Sequence, residues 1–163
     1  MSLPLARLRV LASFQGFSDE ELREVARRMR GVVLDKDAVV DEADPTRLWL
    51  VLEGHLVAER EMSEGGRIEV GRYGPGAVVS SGELVGGMPA DVRLLVSERC
   101  LAAELDEDVL EEWVGRGDPV AVRFFQLLVC SLVRQLRQTN ACLAELVCMS
   151  ELRDMARSRG LLH

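Results

Sequence analysis

A chain of 163 residues is long enough for one domain with a sizeable core and short for two. At 48% hydrophobic and 29% charged it lies outside the disordered class, and a net charge of −7 leaves no cationic surplus for a nucleic-acid surface. No run of about 18 uncharged apolar residues is present, and Met1 to Ala12 carries two arginines without a secretory processing site, so a cytoplasmic protein with no membrane partner is expected.

Leu8, Leu11, Phe14 and Phe17 lead into Ser18-Asp-Glu-Glu21, where Ser18 caps a helix and Glu21 answers it three residues on. Leu22, Val25, Ala26 and Met29 then recur at helical spacing through Arg30. Arg23, Arg27 and Arg28 fall on the other faces and read as a solvated side rather than a binding patch.

From Gly31 the texture changes to short apolar runs. Val32–Leu34, Val39–Val40, Leu48–Leu52 and Leu56–Ala58 read as strands, separated by Asp35-Lys-Asp37, Asp44-Pro45 and Glu53-Gly54. Ser63–Gly66 predicts a hairpin turn into a half-exposed strand, in which Ile68 and Val70 alternate with charged residues. Gly74-Pro75-Gly76 supplies a tight reversal, and Leu94–Val96 and Cys100–Leu105 add two more strands. About eight short strands between helical ends predict an α+β fold: an antiparallel roll or sandwich with helices outside it.

The last segment starts near Asp118-Pro119 and runs to Arg159 without Gly or Pro. Val122, Phe125, Val129, Leu132, Leu136, Thr139, Leu143 and Leu146 are spaced 3, 4, 3, 4, 3, 4, 3. A period of about three and a half residues predicts a coiled-coil seam and hence a homodimer. The organisation expected is 1–117 for N-terminal helices and roll, and 118–163 for a long dimerisation helix.

Enzyme chemistry finds little support. There is no G-x-S-x-G, G-x-x-x-x-G-K-[ST] or H-E-x-x-H pattern, His55 is the one internal histidine, and Ser80 and Ser81 lack a base nearby. Cys100, Cys130, Cys142 and Cys148 form no C-x-x-C pair, which predicts free thiols and no metal. Gly82, Gly86 and Gly87 leave backbone amides uncovered, so a helical turn over 83–87 would point N–H groups at an anion.

Several of these stretches together resemble the cyclic-nucleotide-binding domain family of the catabolite-activator type. Phe14-Gln-Gly-Phe-Ser18 looks like its opening helix signal, and Asp41-Glu-Ala-Asp-Pro45 is similar to the acidic turn before its Leu-Trp-Leu-Val strand. Gly74-Pro-Gly76 looks like the turn before its phosphate-binding cassette, Gly82-Glu83-Leu84 like the start of that cassette, and Arg134-Gln-Leu-Arg137 with Asn140 like its terminal helix. The resemblance implies a β-roll of jelly-roll type flanked by N-terminal helices and a long C-terminal helix. It also implies that the cassette turn and an arginine hold a cyclic phosphate, that Glu83 takes the ribose hydroxyl, and that Thr139 and Asn140 meet the base. Arg93 is the candidate arginine, ten positions after Glu83, yet it is followed by Leu94-Leu95-Val96 where the family has small residues and a hydroxyl. Counting back from Cys100 puts the arginine position on Ala90.

The sequence therefore predicts a non-enzymatic regulatory and interaction module with a degenerate cassette, a protein partner and no cofactor. The alternative is a genuine cyclic AMP or cyclic GMP sensor that signals through its C-terminal helix. The family's transcription factors continue into a helix-turn-helix domain, which this sequence lacks, so direct DNA contact is not expected.

Overall fold

The structure, a computed structural model, describes residues 3–40, 47–62, 65–80 and 92–158; within it the side chains of residues 80, 139, 142, 143 and 145–158 lie outside the description. A short helix α1 (Leu5–Arg9) and a 3-10 turn (Ala12–Phe14) precede α2 (Asp19–Arg28). The predicted capping box forms at α2: Glu21 N–H donates to Ser18 Oγ at 3.3 Å, and Ser18 N–H to Glu21 Oε2 at 2.6 Å. Leu22 and Val25 of α2, with Met29 just beyond it, are buried on one side.

Seven strands follow among the described residues: β1 (Arg30–Leu34), β2 (Arg47–Glu53), β3 (Leu56–Glu61), β4 (Arg67–Tyr73), β5 (Val78–Ser80), β6 (Val92–Val96) and β7 (Cys100–Asp106). They form a four-stranded sheet in the order β1-β7-β2-β5 and a three-stranded sheet in the order β4-β3-β6, all antiparallel. Val39–Val40, expected as a strand, makes only an isolated bridge from Val39 to Leu95. Ala38 and Val40 nevertheless trade backbone bonds with Val96 and Leu94 at 2.8–3.0 Å, so this segment lies along β6.

Strand β2 explains why the molecule has two cores. Leu48, Leu50 and Leu52 face a cluster made with Leu8, Phe14, Val25 and further helical residues, while Trp49 and Val51 join a second cluster with Val79, Leu94 and Ala102. A strand with a side-chain period of two and no polar face must be covered on both sides. The first cluster lies between the sheet and the helices. The second lies between the two sheets, because it includes Leu56 of β3 and Leu94 and Val96 of β6 as well as Cys100 and Ala102 of β7.

After β7 comes α3 (Glu107–Gly115), a helix the sequence reading passed over, whose Leu110 and Trp113 enter the helix-side core. Helix α4 (Pro119–Ser158) spans 40 residues, from the predicted start. Asp118 organises that start: its Oδ1 accepts Val120 N–H at 2.8 Å, its Oδ2 accepts the Trp113 indole N–H at 2.9 Å, and its carbonyl accepts Val122 N–H at 3.0 Å. These bonds, the indole's first, hold the Asp118 carboxyl below its ordinary value. The chain divides into a compact unit, residues 1–129, and a second unit, residues 130–163, with the division inside α4.

Pro119–Gln138 is long and apolar enough to cross a bilayer by length and composition, although Arg123, Arg134 and Arg137 interrupt it. Its apolar content is distributed over two sides. Ala121, Phe124, Leu127 and Leu128 are buried in the helix-side core, whereas Val122, Phe125, Val129, Val133 and Leu136 are exposed.

Candidate functional site

Strand β6 decides which side chains can reach the interior of the roll. Val92, Leu94 and Val96 are buried and Arg93 is exposed, as a period of two requires. Arg93 stands opposite Glu59 of β3 on the outer face, and Leu94 enters the cluster between the sheets. Gly82, Glu83 and Leu84, expected to start the phosphate cassette, lie outside the described residues. The sequence from 81 to 91 contains no Lys, Arg or His. Asn140 is exposed on α4, and the side chain of Thr139 lies outside the description.

Of the predicted seam, Val122, Phe125, Val129 and Leu136 are exposed and Leu132 is half-buried, while the side chains of Leu143 and Leu146 lie outside the description. Cys100 and Cys130 are free, and no His, Cys, Asp or Glu cluster among the described residues could hold a metal.

Two weakly acidic groups belong to the inter-sheet core or pack against it. Burial pushes the Cys100 thiol up to about 11, and burial also raises Tyr73, which packs against the same cluster. Both groups are therefore neutral at pH 7. Trp49 is 5% exposed, and its Nε1 is buried with no hydrogen-bond partner among the described residues. Sequence reasoning took Leu48–Leu52 as one apolar run; its alternation was the available signal that Trp49 and Val51 share a face.

One carboxylate borders this core. Glu104 of β7 is opposite Trp49 in register, and its two oxygens accept from Arg30 and Arg47, the latter at 2.9 Å. With Arg28 and Asp106 these residues line a cleft of about 290 Å³. Arg28 lies over the Trp113 ring at 5.3 Å and also pairs with Glu24. A larger groove of about 530 Å³ lies where α2 and α4 begin. Of the carboxylates that line it, Glu24 pairs with Arg27 and Arg28 and Glu21 with Arg123.

A roll of two antiparallel sheets, helices at its N-terminal side and a long helix after it is the architecture that the sequence resemblance implied. The family model for the cyclic nucleotide-binding domain matches residues 32–116, just over half of the chain. The chain belongs to this family. Among solved structures, a cyclic nucleotide-binding domain from Methylobacillus flagellatus is similar at 22% identity and a TM-score of 0.70, covering 86% of this chain and 80% of that one. The catabolite activator protein of Thermus thermophilus is similar at 19% identity and a TM-score of 0.61, over 83% of this chain and 62% of its own. The regulatory subunit of a cAMP-independent protein kinase A from Trypanosoma brucei is similar at 14% identity and a TM-score of 0.56, over 75% of this chain and 44% of its own. No curated protein matches the sequence. At these identities the solved structures establish the β-roll and nothing about the ligand.

Proposed function

We propose that this cyclic nucleotide-binding domain is a non-enzymatic regulatory and interaction module that binds cyclic nucleotides weakly or not at all and works as a homodimer with a protein partner. The observation that carries this reading is on β6. Arg93, the candidate phosphate ligand, is exposed on the outer face opposite Glu59, while Leu94 occupies the inward position.

A cyclic phosphate placed between the sheets needs donors and a compensating charge, because a buried unpaired anion is strongly disfavoured. Arg30 and Arg47, the cations that border the inter-sheet core, both pair with Glu104, and the sequence from 81 to 91 contains no Lys, Arg or His. Loss of a guanidinium–phosphate contact removes about 1.5–3 kcal/mol, a factor of roughly ten to a hundred and fifty in affinity. The Trypanosoma relative named as cAMP-independent supports the reading that such a roll serves without that ligand.

Calorimetric titration of ligand-free protein with cyclic AMP and cyclic GMP tests this proposal. The expected result is no saturable heat at micromolar ligand. Stereospecific binding at low micromolar concentration, abolished by Arg93→Ala, would overturn it in favour of a true sensor that signals through α4.

A further inference from the structure

Strand β4 ends the three-stranded sheet, and its first four residues, Arg67 to Val70, are exposed on both faces. One of its edges is paired with β3, and the other is open among the described strands. Met62 N–H donates to the Gly66 carbonyl at 3.0 Å, and the register sets Ile68 opposite Arg60. Antiparallel ladders alternate, so Ile68 turns its backbone groups to β3 while Arg67 and Glu69 turn theirs to the open edge. An open edge of this kind is a place where another strand can add.

The charges beside that edge say which strand fits. Arg93 of β6, Glu59 of β3 and Glu69 of β4 stand in one cross-strand row, which therefore ends on two like charges side by side. Glu69 also accepts from Arg72 through both oxygens, at 2.9 and 2.8 Å, which offsets part of this. A cation at the next position of the row would offset the rest. Arg67 is opposite Glu61 but forms no ion pair among the described residues, so its own row has room for a carboxylate. A strand that sets a cation opposite Glu69 and an anion opposite Arg67 meets both needs, and Arg67-Ile68-Glu69 taken in the reverse direction is such a strand.

We propose that β4 pairs antiparallel with β4 of a second copy of this chain, centred on Ile68, and joins the two three-stranded sheets edge to edge. Arg67 of each copy then faces Glu69 of the other, so the ion pair forms twice, and the two Ile68 side chains meet on the opposite face. Centring on Glu69 would oppose the two glutamates, and centring on Val70 would set Glu69 against Gly71. Gly66, which would face Val70, has open space around it. This contact uses no residue of the exposed row on α4. A ladder over residues 66–70 is small, so its dissociation constant is expected at about 1 mM.

In the full chain carrying Leu132→Glu and Leu136→Glu, the α4 row no longer supplies association, and sedimentation equilibrium from tens of micromolar to about 1 mM then reads β4 alone. The mass should rise toward that of two chains at the upper end. Adding Arg67→Glu, or instead Glu69→Arg, sets like charges opposite each other twice and should weaken association about tenfold or more. Mixed in equal amounts, these two variants are complementary at both pairs and should associate at least as well as their parent. A merely structural role of either residue would not give that recovery. The proposal is overturned if the parent stays monomeric at the upper end, which would leave the edge to an extended segment of a different protein. It is equally overturned if either charge variant associates like the parent, or if the mixture does no better than its components. The α4 dimer is decided separately, by the unmutated protein at tens of micromolar, so the two failures are distinguishable.

Discussion

Two glycines with the same backbone sign show how differently a single position can be constrained. Gly54, in the turn between β2 and β3, has φ +77°, and a Cβ placed there would lie 2.7 Å from the Arg99 carbonyl oxygen and 3.0 Å from Cys100 Cα. Gly117, which follows α3, has φ +70° and open space around it. The left-handed conformation alone makes a non-glycine residue about 1–2 kcal/mol less favourable, and a backbone clash adds to this. Gly54→Ala should therefore destabilise by more than about 2 kcal/mol and Gly117→Ala by about 1 kcal/mol. Urea unfolding of both variants checks the ranking, and equal midpoints would contradict it. Glu53-Gly54 was legible in the sequence as a turn, but the approach of Arg99 was not, since it depends on a contact 45 residues away. Arg93 shows the same division. Its strand was legible, whereas its outward face depended on a register that Arg93-Leu94-Leu95 alone leaves open.

At the scale of elements, the strongest local signals were those with two agreeing causes. The capping box at Ser18 and the turn at Glu53-Gly54 each combine residue type with position, and both appear where expected. Val39–Val40 failed as a strand because two apolar residues do not make a ladder; the segment is held by backbone bonds to β6 instead. On β4, the edge strand of the three-stranded sheet, Ile68 and Val70 are both exposed, so the buried face expected from their alternation with charged residues does not form there. Helix α3 was missed although Leu110 and Trp113 sit at helical spacing, because nine residues between a strand and a longer helix give a weak period. The start of α4 gives a test at this scale. The Asp118 carboxyl is held below its ordinary value, so its charge favours the folded state at pH above the unfolded value, and that contribution fades as pH falls through the lowered one. Asp118→Asn should lower the thermal midpoint at pH 7, and the gap to the unmutated protein should shrink by pH 3. A gap that stays constant would mean that shape, not charge, is what Asp118 supplies.

For the whole molecule, burial of β2 on both faces ties the sheets and the helices together within the compact unit of residues 1–129, and a fold of this kind does not by itself specify a ligand. That is why the fold was legible from turns and alternation, while the ligand was not. Assembly is the remaining question at this scale, and α4 frames it. An ordinary surface helix has one apolar stripe, but this one presents Val122, Phe125, Val129, Val133 and Leu136 to solvent in addition to the side buried by Phe124 and Leu128. Leu136 is 60% exposed. Such a row on a single copy is unfavourable to leave in water, and its three-and-a-half-residue period fits a second helix of the same kind, which supports the proposed homodimer. Light scattering at tens of micromolar should then give twice the chain mass. Leu132→Glu with Leu136→Glu would place four carboxylates at the proposed seam, two from each copy, where neither burial nor like-charge approach is favourable, so that variant should run as a monomer. Because Leu136 is exposed and Leu132 only half-buried, circular dichroism of the variant should keep the signal of the roll, which separates loss of assembly from loss of fold. An unmutated protein that is monomeric under these conditions would remove the dimer, and the exposed row on α4 would then need a different partner.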